Sequence, residues 1–278
     1  MSFSSGNLTV TKIDNSSGVF ALSDLRHLNF SDITVGLQED SSVFAQNDTI
    51  YIMKSGAIAG QYNVNTEVDS VIFYKPTIEE TTSETFIDSR DGNEYNWVQI
   101  GDQVWMAENL KYLPSVVGPG TGSQTTPHYY VYGYNGTDVN AAKATTNYAT
   151  YGVLYNWTAA MNACPDGWHL PSDAEWTELT DYLGGTSVAG GKLKETGTTH
   201  WASPNTGATN ETGFTALPGG SRSNNGTFYN IGNYGRWWSA TEIHSNNAWY
   251  WGMYYDSSNV SRKNYVEELG FSVRCLRD

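Results

Sequence analysis

Only two of the 278 residues are cysteine, Cys164 and Cys275, so neither a multi-cysteine zinc site nor a disulfide-dense scaffold is available. Basic residues are scarce: 15 Lys+Arg stand against 29 Asp+Glu, a formal charge of −14. Such a chain has little with which to displace counterions from a phosphate backbone, which excludes nucleic-acid gripping as its main role. No apolar run approaches the length of about 18 residues needed to cross a bilayer, and no membrane insertion is expected. The opening stretch Met1–Val10 is polar, without a basic segment followed by an apolar one, so no secretory signal is expected in it. His-Glu-x-x-His and Gly-x-Ser-x-Gly patterns are both missing. His128, His169, His200 and His244 are scattered, and no carboxylate pair stands out for glycoside cleavage. No catalytic residue, metal ligand or cofactor is therefore called for.

Aromatic residues are what the chain has in quantity: 14%, including 10 Trp and 19 Tyr, alongside 28 Gly. This much aromatic surface argues for a packed chain, and abundant Asn, Ser, Thr, Tyr and Gly favour short strands and elaborate loops. The aromatic content is uneven. All ten Trp and both Cys lie beyond Asn96, and 23 of the 28 Gly lie beyond residue 85. Both parts are acidic, with 4 basic against 11 acidic residues before residue 86 and 11 against 18 after. The polar stretch 77–84 follows Pro76 and reads as a linker between residues 1–76 and 85–278.

Before the linker, apolar and polar residues alternate over 8–13, 42–45 and 49–53, and residues 68–74 are rich in Val, Ile, Phe and Tyr. These predict a small all-β module of five to seven strands, with His27 a surface or packing residue. After it, residues 85–89 and 95–100 read as a hairpin around Arg90-Asp-Gly-Asn93, followed by a turn at Gly101-Asp102 into 103–106. Asp88, Asp91 and Asn93 carry oxygens of the kind calcium takes. No distal bidentate Glu completes such a loop, and Asp-Gly-Asn is turn chemistry. Residues 114–150 read as a long surface insertion. Two helices are predicted: one over 153–163, stopped by Pro165, and one after the capping box Ser172-Asp-Ala-Glu175. The second would bury Trp176, Leu179, Tyr182 and Leu183 and end at Gly184-Gly185. Glu175 then has a capping role, and His169, between Trp168 and Leu170, reads as a packed residue and not as a base.

The run from Tyr155 to Trp176, with Asn-Trp-Thr-Ala-Ala-Met-Asn-Ala-Cys-Pro-Asp-Gly-Trp-His-Leu-Pro-Ser at its centre, resembles the signature of the Fibrobacter succinogenes major paralogous domain. Residues 88–95, 104–110, Leu217-Pro-Gly-Gly-Ser-Arg222 and Gly270-Phe-Ser-Val-Arg-Cys275 agree with it, so the resemblance spans residues 85–278. It implies an α+β, C-type-lectin-like fold: two helices flank small antiparallel sheets, and the domain's ends come together. It also implies a disulfide from the first helix to the last strand, for which Cys164 and Cys275 are placed, two buried free thiols being the alternative. A disulfide would point to an oxidising destination.

The segment 245–259 is similar to the variable tail of phage and bacterial proteins diversified by retroelements. Exposed Tyr, Trp, Asn and Ser suit adaptable binding surfaces. Alternation along Ala248–Tyr255 is read with Trp249, Trp251, Met253 and Tyr255 outward and Tyr250 and Tyr254 inward. Asn246, Asn247 and Asn259 complete the expected ligand-binding set. The Glu-Pro-Asn, Gln-Pro-Asp and Trp-Asn-Asp tripeptides of calcium-dependent sugar binding are absent, while sugar stacking on Trp remains open.

The expectation is a non-enzymatic phage virion protein: a head or tail fibre, decoration or receptor-binding protein on the virion exterior. Residues 1–76 would join other virion proteins, and the C-terminal face would contact a bacterial surface glycan or protein. The protein is expected to be a homo-oligomer, with a trimer the usual fibre arrangement. One alternative is a bacterial envelope adhesin at the cell surface whose signal has been removed. Another is an oxidase resembling the formylglycine-generating enzyme, for which two cysteines are the entire supply.

Overall fold

The computed structural model describes residues 84–278 except residue 121, and before them eight strands between Asn7 and Tyr74. It divides into two compact units, Met1–Glu80 and Thr81–Asp278.

The first unit is β throughout its described residues. Strands β1 (Asn7–Thr11), β2 (Ser17–Ala21) and β8 (Ser70–Tyr74) form an antiparallel sheet in the order β2-β1-β8. Strands β3 (Leu28–Phe30), β4 (Ile33–Thr34), β5 (Ser41–Gln46), β6 (Thr49–Lys54) and β7 (Ala57–Asn63) form a second sheet, in the order β4-β3-β5-β6-β7. The four patterned segments are all strands, and the count is eight where five to seven were expected. β7 carries Gly60 within its run, which blurs its alternation. The predicted linker and His27 lie outside the described residues, save Glu84, which opens the next strand.

The second unit is α+β. One sheet runs β14-β20-β11-β10-β9, made of β9 (Glu84–Ile87), β10 (Glu94–Ile100), β11 (Gln103–Met106), β14 (Trp168–His169) and β20 (Leu276–Arg277). The first and last strands of the unit therefore share a sheet. The β9–β10 turn is the predicted one, with Gly92 at φ +75°, a value that L side chains rarely adopt. A second sheet joins β17 (Tyr234–His244), β18 (Asn247–Tyr254) and β19 (Val260–Val266), with β18 central. Two short ribbons pair β12 (Tyr129–Tyr130) with β13 (Leu154–Tyr155) and β15 (Ser221–Arg222) with β16 (Phe228–Tyr229).

There are five helices among the described residues, not two. α1 (Val139–Lys143) and α2 (Thr146–Tyr151) fall in the stretch read as a surface insertion. That stretch also buries Val116, Tyr130, Val131, Ala142 and Tyr148. Helices of five and six residues are too short to display an amphipathic period, and only their N-caps, Asp138 and Thr145, mark them. The helix predicted over 153–163 is a single turn, α3 (Trp157–Ala160). Leu154 and Tyr155 pair with β12 instead, and the Asn156 side chain caps the turn by accepting from the Ala159 amide at 3.1 Å.

α4 (Asp173–Tyr182) has the predicted capping box. Ser172 Oγ accepts from the Glu175 amide, and the Glu175 carboxylate accepts from the Ser172 amide at 2.7 Å. Trp176, Leu179 and Leu183 are buried, but Tyr182 is half exposed, its ring lying across Gly101. α5 (Thr186–Leu193) was missed because Gly190-Gly191 disfavours a helix interior by propensity. Packing overrides that cost. A Cβ on Gly190 would lie 2.5 Å from the Asn259 carbonyl oxygen, and one on Gly191 would strike the Gly207 carbonyl.

Buried side chains form two cores. One holds Tyr95, Met106, Tyr155, Trp238, Tyr250 and Phe271; the other holds Trp105, Trp176, Trp201, Phe214, Trp237 and Trp251. Cys164, just after α3, is disulfide-bonded to Cys275, just before β20, across 111 residues.

Two outcomes are expected. Closing a loop of 111 residues stabilises by about 5 kcal/mol on chain-entropy grounds, so reduction, or the double variant C164S/C275S, should lower the melting temperature by many degrees. Gly190→Ala should gain about 1 kcal/mol by helix propensity alone; the clash with Asn259 reverses the sign, and urea unfolding should show a loss of about 1–3 kcal/mol.

Candidate ligand-binding face on the C-terminal sheet

The residues expected to point outward from β18 do not form one surface. Trp251 is 1% exposed and Met253 is fully buried, which corrects the outward reading of both. The reason is α4, whose N-terminal half covers this side of the sheet. Trp251 stacks on Trp176 at 6.0 Å and 14° between planes, and its Nε1 donates to Asp173 Oδ1 at 3.1 Å.

Of the remaining five, Asn246, Asn247 and Trp249 lie at one end of β18, Tyr255 and Asn259 beyond the other. At about 3.3 Å per residue the two groups are some 20 Å or more apart. Trp249 is half-buried beneath the Arg262 guanidinium, 3.5 Å from the ring centroid. Arg262 is itself held by both Asp173 oxygens, at 2.6 to 2.9 Å. Asn247 contacts Asn264, and Asn246 accepts from the Glu267 amide. Tyr255 and Asn259 serve the β18–β19 connection. The Tyr255 amide donates to the Asn233 carbonyl, and the Asn259 amide donates to Ser257 Oγ.

The other side of the same sheet presents a group that the sequence reading missed. Cross-strand register sets Tyr234 opposite Tyr254, and Arg236 opposite Gly252, which is in turn opposite Ser261. Lys263 lies opposite Tyr250, and Tyr265 opposite Ala248. Tyr250 points inward as expected, 3% exposed and 4.8 Å from the Phe271 ring, and forms the floor. Burial pushes its hydroxyl up to about 12, with the nearby Arg236 charge pulling the other way. Tyr254, expected inward, is half exposed. Its ring meets Tyr234 edge-on at 4.8 Å, and its hydroxyl accepts from Ser261 Oγ at 2.9 Å. Lys263 and Tyr265 are exposed. The signal available in the sequence was the polar run Ser261-Arg-Lys-Asn-Tyr265, which marks an edge strand. The Tyr250/Tyr254 phase was legible, but which end of it opened to solvent was not.

Behind Tyr254 sits Lys194, fully buried at the end of α5. Its ammonium donates to the carbonyls of Thr206, Tyr254 and Ser257 at 2.8 to 3.0 Å, tying the loop at Thr206 to the end of β18 and the β18–β19 connection. Burial lowers its pKa to about 8. Lys194→Met keeps the shape but strands three carbonyls. It should cost about 2–4 kcal/mol in urea unfolding and broaden the NMR signals of residues 254–259.

Elsewhere a cleft of about 310 Å³ is lined by Glu108, Lys111, Thr150, His200 and Thr215 among others. Burial would raise the Glu108 pKa, but hydrogen bonding from Asn96 and the charge of Lys111 outweigh it and hold the carboxyl below its usual range. His200 bonds both oxygens of Glu195 at 2.9 Å. His169 is not the packed residue expected, being about one-third exposed. Its Nδ1 lies 2.6 Å from Asp278 and its Nε2 3.0 Å from Glu175, so it bridges the chain's last residue to the helix cap. Among the described residues no group of three His, Cys, Asp or Glu side chains is placed to hold a metal ion.

No curated protein and no solved structure matches the chain. Residues 98–277, about two thirds of its length, match the Fibrobacter succinogenes major domain, including most residues of both cores, the disulfide and the C-terminal sheet, and the chain belongs to that family.

Proposed function

We propose that the protein is a non-enzymatic binding and display protein, with the Tyr234–Arg236–Tyr254–Lys263–Tyr265 face contacting a bacterial surface glycan or protein. The observation that carries the reading is that partly exposed tyrosine rings and two cations share one side of the sheet at the end beyond the buried Trp238 and Tyr250. Rigid aromatic area lowers the entropy lost on binding, which is what recognition surfaces exploit.

The second unit is taken to be C-type-lectin-like. In support, its first and last strands share a sheet, and a disulfide ties the end of a helix to the last strand. Both cysteines are joined to each other, which leaves no thiol among the chain's two for the chemistry of a formylglycine-generating oxidase. The disulfide favours an oxidising setting, and the reading favoured here is the exterior of a phage virion, as a fibre, decoration or receptor-binding component. On this reading the β unit ending near residue 76 joins other virion proteins, in an oligomer for which a trimer is the simplest fibre arrangement. The same disulfide suits a bacterial envelope adhesin equally well.

The test is binding of the labelled full chain to a broad panel of intact bacteria. Binding to at least one strain is expected, reduced tenfold or more in Y254A/Y265A with the near-ultraviolet circular dichroism of the Trp-rich cores unchanged. Absence of binding across the panel, or undiminished binding by that variant, would overturn the assignment of this face.

A further inference from the structure

We propose that this face recognises a carboxylate-bearing saccharide, with Arg236 and Lys263 as the carboxylate-reading pair. The inference rests on the reading that the face binds a ligand, and adds the ligand's chemistry.

The first argument is charge. The chain carries a formal −14; carboxylates pair Arg90, Lys111, Lys192 and Arg262, and backbone carbonyls hold Lys194, Arg222 and Arg274. Among the described residues neither Arg236 nor Lys263 has a carboxylate within ion-pair distance. Arg236 is also short of acceptors. Nη1 reaches Ser221 Oγ at 3.2 Å, and Nε is buried with no acceptor at all. The buried Nε is closed to a ligand, so the unspent hydrogen-bonding capacity lies on the outer nitrogens, and carboxylate is the group that matches their planar fork. The rings around it, Tyr234 at 5.2 Å, Phe271 at 5.6 Å and Tyr250 at 5.8 Å, fix its position without neutralising it.

The second argument is shape. Arg236, Gly252 and Ser261 lie in one row across three strands, and Lys263 is the next residue on the same side of β19. Strand spacing places the two cations about 10–12 Å apart at their Cα atoms, a span that two converging side chains close around one sugar unit. Gly252, between them, is buried: Ser261 Oγ donates to its carbonyl at 3.3 Å, and Ser261, Tyr250 and Tyr254 close over the space a Cβ would take.

The third argument is the remaining chemistry. The hydroxyls of Tyr254 and Ser261 are hydrogen-bonded to each other over Gly252, and the exposed Tyr265 ring, with the partly buried Tyr234 and Tyr254, offers flat apolar area. Hydroxyls, rings and cations on one side of a sheet suit a pyranose acid. An acidic peptide would be expected to seek deeper anchoring pockets.

The test measures the full chain against immobilised saccharides in matched pairs, glucuronate against glucose and galacturonate against galactose, with sialic acid against its methyl ester. Poly-glutamate serves as the peptide control. At least one acid should bind tenfold or more tighter than its neutral partner, more weakly as salt rises. That preference should be lost in Lys263→Glu and Arg236→Gln and kept in Lys263→Arg, each checked for an unchanged melting curve. Equal binding of acid and neutral forms, an unaffected Lys263→Glu, or a preference for poly-glutamate would overturn the proposal. If cells are still bound while every saccharide acid is ignored, the carboxylate reading fails and the binding face stands. If neither cells nor saccharides bind, both fall.

Discussion

The second unit is organised around one buried amide. Asn109 Oδ1 accepts from Trp237 Nε1 at 2.9 Å and from Arg274 Nε at 3.2 Å, while its Nδ2 donates to the Tyr151 carbonyl at 3.0 Å. Arg274, completely buried, continues outward to the carbonyls of Met106, Phe214 and Thr215. Its charge is met by carbonyl dipoles and by the face of the Phe214 ring, 4.2 Å away. Burial lowers the Arg274 pKa, the distant Glu108 offsetting only part of that. Removing any one partner would leave others buried and unsatisfied, so these residues specify a single arrangement of chain segments far apart in sequence.

That arrangement explains the second sheet. The Trp237-Trp238 doublet points to opposite sides of β17, Trp237 into the core with Trp176 and Trp251, Trp238 into the core with Phe271 and Tyr250. A strand pair buried on both sides along most of its length has few positions left to face solvent. The solvent-facing side chains therefore concentrate where one core ends, around Tyr254, and along the edge strand β19. Lys194 and the Gly190-Gly191 contact brace that end from behind, through the backbone of residues 254–259.

Local chemistry made some elements legible. The β9–β10 hairpin, the Gly101-Asp102 turn, the Ser172–Glu175 cap and the end of α4 at its glycines each depend on residues close in sequence. So does the alternation that marks β1, β5, β6 and β8. Failures occurred where distant groups decide. Tyr155 became a strand residue because β12 pairs with it, α5 formed despite two glycines because backbone carbonyls occupy the space a Cβ would need, and Trp251 turned inward because Trp176 and Asp173 receive it. Alternation supplies two phases, and nothing within Ala248–Tyr255 says which phase α4 will cover.

By itself, then, the sequence determined the strand-rich character of both parts, the acidic balance, the cap and turn positions, and the motif segments that carry the family. These follow from composition and short-range stereochemistry. Only tertiary structure decided that Asn109, Trp237 and Arg274 meet in one buried network, and that the sheet opens on the side of Arg236, Tyr254 and Lys263. Which face of a strand is exposed depends on what packs against it, and the residues that pack here lie some 60 to 160 positions away along the chain.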